Sequence, residues 1–133
     1  MSKISEKLRL YAKSIDDELK QIDIFLSRPN LDTSQVQFAS GKMRAYIDIL
    51  VDLEDTYPEL NDREIEGDEL DIRRLLEYAN RIEDSVKAQT RTMLSKPIEL
   101  FSEVYINRDS GKLLAYKCAR KKLTDYFPEL VKS

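Results

Sequence analysis

Between Val36 and Tyr57, the residues Val36, Ala39, Met43, Tyr46, Leu50, Leu53 and Tyr57 return at alternating steps of three and four. That spacing holds one stripe of an α-helix against a neighbouring helix. At about 100° per residue, Phe38, Ala45 and Ile49 form a second apolar line roughly 110° from the first. Ile47 and Val51 extend the other flank. A helix with so wide an apolar arc either lies at the centre of a bundle or keeps a face for a partner, so Phe38 and Ile49 are candidate partner-binding residues. A start signal precedes it. In Asp32-Thr33-Ser34-Gln35 a short side-chain oxygen can accept from first-turn amides while Gln35 reaches back, the pattern of a capping box. Pro58 ends it.

The same periodicity runs through the flanking segments. Ile4, Leu8, Tyr11, Ile15, Leu19, Ile22 and Leu26 predict a helix from about Ser2 to Leu26, stopped ahead of Pro29. Lys13 with Asp17, and Asp16 with Lys20, are opposite charges four apart on its outer face. A third helix starts at Asp68 and repeats the seam with Ile72, Leu75, Ala79, Ile82, Val86 and Met93, with Leu76 and Tyr78 broadening it. Ser95-Lys96-Pro97 breaks it. Beyond, Ile98 to Tyr105 reads as a short helix, Asn107 to Gly111 as a turn, and Lys112 to Phe127 as a final helix with Tyr116, Ala119, Leu123 and Tyr126 inward. The alternative for residues 104–115 is a β-hairpin around the Asp-Ser-Gly turn. The expected fold is therefore all-α: a single-domain antiparallel bundle of three long helices and one or two shorter C-terminal ones.

Composition narrows the function classes. The chain has no histidine, which removes the commonest general base and metal ligand at neutral pH, and with it Ser-His and Cys-His nucleophile pairs. No glycine-rich phosphate loop is present. Aligning Asp62, Glu64, Glu66 and Gly67 with a calcium loop puts Arg73 where a bidentate acid belongs. These readings predict no catalytic residue, cofactor or metal. Cys118 is the single cysteine, so an intrachain disulfide is impossible, and no signal peptide or apolar span is visible, which predicts a cytoplasmic protein. Lys117, Arg120, Lys121 and Lys122 surround Cys118 and favour a reactive thiolate; a small apolar residue on a helix flank is the plainer reading.

Charge is unevenly spread over a formal net of −3. Asp52 to Asp71 is strongly acidic, whereas Lys112, Lys117, Arg120, Lys121 and Lys122 make the final helix basic. Tyr46, Tyr57 and Tyr78 read as core residues with hydroxyls at the margin; Tyr105 and Tyr126 read as partner contacts. The leading expectation is a non-enzymatic interaction or assembly protein that binds a protein partner or itself. The alternative is a small subunit of a nucleoprotein complex touching nucleic acid through the five basic residues of the last helix.

Overall fold

The computed structural model describes residues 4–61, 68–95 and 103–130, with side chains at 4–60, 71–95 and 107–130. Four long helices, α1 (Ile4–Leu26), α2 (Thr33–Thr56), α3 (Asp68–Ser95) and α4 (Glu103–Tyr126), pack together, and the described residues contain no strand. One-turn 3-10 helices follow α2 at Pro58–Asn61 and α4 at Pro128–Leu130.

The start of α2 follows directly from its sequence. The Asp32 carboxylate accepts from the Gln35 amide at 2.8 Å, and the Gln35 side chain accepts from the Asp32 amide at 3.1 Å, which completes the capping box. These bonds, led by the Gln35 amide, hold the Asp32 carboxyl below the usual carboxylate range. Between α1 and α2 the chain turns at Pro29-Asn30, where Asn30 takes a positive φ of 65° that its short amide side chain tolerates. On α1, Lys13–Asp17 and Lys20–Asp16 lie 3.7 and 3.2 Å apart on exposed positions.

Contacts fix the helix directions. Arg9 near the start of α1 donates to the Leu60 carbonyl just past α2, so α1 and α2 are antiparallel. Arg74 near the start of α3 donates to the Thr56 carbonyl, and Tyr78 to that of Ile49, so α2 and α3 are also antiparallel. Arg120 of α4 pairs with Glu83 of α3 at 2.8 Å. Lys7 near the start of α1 lies over Phe127 just past α4, and Glu18 further along α1 pairs with Lys122, so α4 is antiparallel to α1 and runs parallel to α2. The α2–α4 pair makes the most extensive helix contact in the molecule.

The α2–α4 approach depends on two glycines. A Cβ on Gly41 would overlap the Arg108 carbonyl, and one on Gly111 would overlap the Phe38 carbonyl. Backbone meets backbone there, and Ala45, Ala115 and Ala119, all fully buried, continue the close seam. This corrects the sequence reading of the last third. Asn107 to Gly111 is not a turn but part of α4, and the hairpin alternative is absent. Gly111 serves a helix crossing, so the residue that reads as a breaker is one the packing requires. Ile98 to Ser102 of the expected short helix lie outside the described residues. Glu103 to Ile106 belong to the first turn of α4.

One core draws on all four helices: Leu8, Tyr11 and Ile15 from α1, Tyr46, Ile49 and Leu53 from α2, Leu75, Tyr78 and Ile82 from α3, and Ala119 and Leu123 from α4. Tyr57 and Phe127 close one end. The α3 seam holds at Leu75, Tyr78, Ile82 and Val86, all buried, and departs from the expected one only in its first turns. Ile72 is 45% exposed, Leu76 46%, whereas Asp71 is buried.

Candidate functional site

Around the C-terminal half of α2, the interior is polar but fully connected. The Tyr78 hydroxyl spends its proton on the Ile49 carbonyl at 3.2 Å, so the Tyr11 hydroxyl, 3.0 Å away, donates to it. The two rings meet edge to face at 6.1 Å. Tyr57 donates to the Asp71 carbonyl at 2.8 Å. Arg74 lies over the Tyr57 ring, forks onto both Glu59 oxygens at 3.0 and 2.9 Å, and also bonds Asp71. Arg81 Nε donates to both Asp52 oxygens at 3.1 and 2.9 Å, and its terminal amino group donates to the Thr56 hydroxyl at 2.6 Å. Burial pushes the Tyr11, Tyr57 and Tyr78 hydroxyls well above their ordinary pKa. The carboxylate bonds, Glu59 first for Arg74 and Asp52 for Arg81, hold both guanidiniums charged. Every group in this cluster is satisfied by another, apart from the buried Arg74 Nε, and it ties α1, α2 and α3 together. Its arrangement is that of a structural lock.

The opposite half of α2 is different. Here α1 and α4 stand apart, and a groove of about 450 Å³ lies between them over α2. Its apolar lining is Ile22 and Phe25 of α1 with Phe38 and Ala39 of α2, and its rim carries Glu18, Gln21, Lys42 and Asn107. The volume is within the range of binding clefts, which combine an apolar lining with a few placed polar groups. Both aromatic rings carry a cation: Lys42 Nζ lies 5.5 Å from the Phe38 centroid, and the Arg28 guanidinium 5.4 Å from that of Phe25. The single rim carboxylate, Glu18, pairs with Lys122 at 3.7 Å. The lining thus carries one charge of each sign, Lys42 and Glu18, and the Asp32 carboxylate lies beside it, accepting from Ser34 and Gln35.

The expected site residues scatter. Phe38 lines the groove. Ile49, in contrast, is 3% exposed and belongs to the core, because α3 and α4 cover the second apolar line of α2 at that level. It offers no surface to a partner. Tyr126 is half-buried against the core, and the Tyr105 side chain lies outside the described set. Of the five basic residues on α4, Arg120 pairs with Glu83, Lys121 with Asp125 at 3.1 Å and Lys122 with Glu18. Lys117 is exposed and Lys112 half-buried. Cys118 is half-buried beside the buried Tyr46 hydroxyl, whose pKa is raised by burial and then by that thiol. Sequence reading missed Ile22, Phe25 and Lys42 as a set with Phe38. Each sits in an ordinary helical pattern, and only the divergence of α1 from α4 brings them to one opening.

A smaller cleft of about 240 Å³ between α2, α3 and α4 is lined by Asp48, Asp52, Arg81, Ser85 and Tyr116. Its charges are already matched, Arg81 with Asp52 and Arg44 with Asp48 at 3.6 Å. Residues 62–67, the stretch whose Asp62, Glu64, Glu66 and Gly67 align with a calcium loop, fall outside the described residues. Comparisons of the chain with protein-family models, with curated proteins and with solved structures found no match. Among the described residues no helix is long and apolar enough to cross a membrane.

Proposed function

We propose that this chain is a non-enzymatic helical interaction protein and that the α1–α2–α4 groove is its partner-binding surface. The observation that carries the reading is the pairing of an apolar lining, Ile22, Phe25, Phe38 and Ala39, with a few polar groups at its rim, Glu18, Gln21, Lys42 and Asn107. An open apolar groove of this kind receives bulky side chains from a helix or extended segment. A histidine-free sequence supports the non-enzymatic part of the proposal. Nucleic-acid contact through α4 draws less support, because Arg120, Lys121 and Lys122 already have carboxylate partners within the chain.

The test is site-specific photo-crosslinking in cells of the native host. A photoreactive residue in place of Gln21, exposed at the groove rim, is expected to give a discrete adduct with a protein chain. The same group in place of Lys13, exposed on the outer face of α1, is expected to give none. An adduct with nucleic acid, or equal labelling from both positions, overturns the reading.

A further inference from the structure

Whatever fills the groove must also cover a charge. Lys42 follows Phe38 by one turn on α2 and lines the groove with it. The residue is half-buried, and its ammonium lies over the Phe38 ring, 5.5 Å from the centroid. No carboxylate among the described residues pairs with it.

The two acids nearby are engaged elsewhere. Glu18, on the α1 wall, is held by Lys122 of α4 at 3.7 Å. One oxygen of Asp32 accepts from the Ser34 hydroxyl and the Gln35 amide, both at 2.8 Å, as the cap of α2. Of the two charges that line the groove, Lys42 is therefore the one without an ionic partner.

This sets a condition on the occupant. An apolar side chain seated against Ile22, Phe25, Phe38 and Ala39 strips water from the floor, and with it from Lys42 one turn away. A cation desolvated without a counter-charge opposes binding. A carboxylate brought in by the partner turns the same desolvation into a short, charge-assisted hydrogen bond. Glu18 in the same lining favours a single negative charge over a phosphate group, which carries nearly two and meets more repulsion.

Resting on the interaction reading above, we infer that the groove receives a segment of a partner protein that carries an Asp or Glu within about one helical turn of a bulky apolar anchor. The anchor lies between Phe25 and Phe38, and the carboxylate accepts from Lys42 Nζ.

The test adds substitutions at Lys42 to the crosslinking at Gln21. Mass spectrometry of the Gln21 adduct reads the captured segment, and a synthetic peptide of that segment is the probe in fluorescence anisotropy titrations of the purified chain. Lys42→Met keeps the apolar stem and removes the charge, so the presence or absence of a facing carboxylate gives effects of opposite sign. With the carboxylate, Lys42→Met is expected to weaken binding at least about tenfold, and Lys42→Arg to keep most of the affinity. Without it, loss of a cation from an apolar groove leaves affinity equal or raises it. A peptide with its acid replaced by the matching amide is expected to bind the parent chain as weakly as the acidic peptide binds Lys42→Met, and to lose nothing further against that variant. An unchanged thermal midpoint by circular dichroism shows that each variant is folded. Equal or tighter binding by Lys42→Met overturns the inference. So does a captured segment with no acid near its anchor, one with a phosphorylated side chain in that place, or a peptide that fails to bind the parent. In those cases the Gln21 adduct remains and the interaction reading stands; absence of a discrete adduct overturns both.

Discussion

At its C-terminal end α2 is closed on three sides. Leu53 and Tyr57 are buried, Arg74 and Arg81 clamp α3 onto it, and Arg9 brings α1 to the following turn. At its N-terminal end the same helix has an even tighter neighbour in α4, yet on the α1 side it opens onto the groove. Both halves carry the same three-and-four apolar spacing. The pattern dictates that a face needs cover; the side chains of the flanking helices decide whether cover is complete. Tyrosine and arginine bridge α3 to α2 at one end, whereas at the other the backbone contact at Gly41 and Gly111 draws α4 to one side and leaves α1 to diverge.

The contrast can be broken most severely by alkali. Tyr11, Tyr46, Tyr57 and Tyr78 all have pKa values raised in the folded state, chiefly by burial. A folded pKa above the unfolded value of about 10 means a contribution fully present below pH 10 and lost as pH rises beyond it. Each such group costs about 1.4 kcal/mol for each pH unit above that point. Four together should bring cooperative unfolding, with phenolate absorbance and loss of helical circular dichroism rising in one transition. Phenolate appearing well before unfolding contradicts the sealed interior.

Leu53→Ala, in the closed half, should cost about 2–5 kcal/mol in denaturant unfolding. Leu50, which the bare periodicity ranks equally, is only partly buried and should cost less. Gly41→Val and Gly111→Val should each cost about 1–3 kcal/mol, since the added carbons meet helix backbone rather than a flexible side chain. Tyr78→Phe should cost about 1–3 kcal/mol, because it strands the buried Tyr11 hydroxyl and removes the second bond to the Ile49 carbonyl. Smallest of all, Lys42→Glu at the groove should stay within about 0.5 kcal/mol of the parent. If it destabilises as much as Tyr78→Phe does, the groove is part of the core and the distinction between the two halves disappears.

Residue spacing made α1 and α2 legible nearly to their ends, because Pro29, the Asp32–Gln35 box and Pro58 act locally. It also made Phe38 stand out, being apolar and off the main seam. The later part of α4 was legible too, as the helix from Lys112 with Ala119 and Leu123 inward, but its first part was not. Where the two helices touch by backbone, the buried residues are Gly111 and Ala115, so a wheel of large apolar residues has little to register. Glycine after Asn-Arg-Asp-Ser then looks like a turn. On α3 the seam was legible at Leu75, Tyr78, Ile82 and Val86, but not the exposure of Ile72 and Leu76 or the burial of Asp71. The Asp71 carboxylate is held by Arg74, while Arg74 itself is anchored by Glu59, a residue outside α3. The groove depends on where α1 and α4 separate, a property of three helices that no single stretch encodes.

The parallel α2–α4 pair also bears on how the chain comes off the ribosome. Gly41 and Gly111 are roughly 70 residues apart and meet only after α3 has carried the chain back along the bundle. Until then the face of α2 that α4 will cover is bare. Closing so long a loop adds entropy cost only slowly with length, but contacts this distant form late and slow the approach to the native state. A nascent chain ending before α4 exposes Ala45 and Ile49 to other chains, and the last helix is the one that ends that exposure.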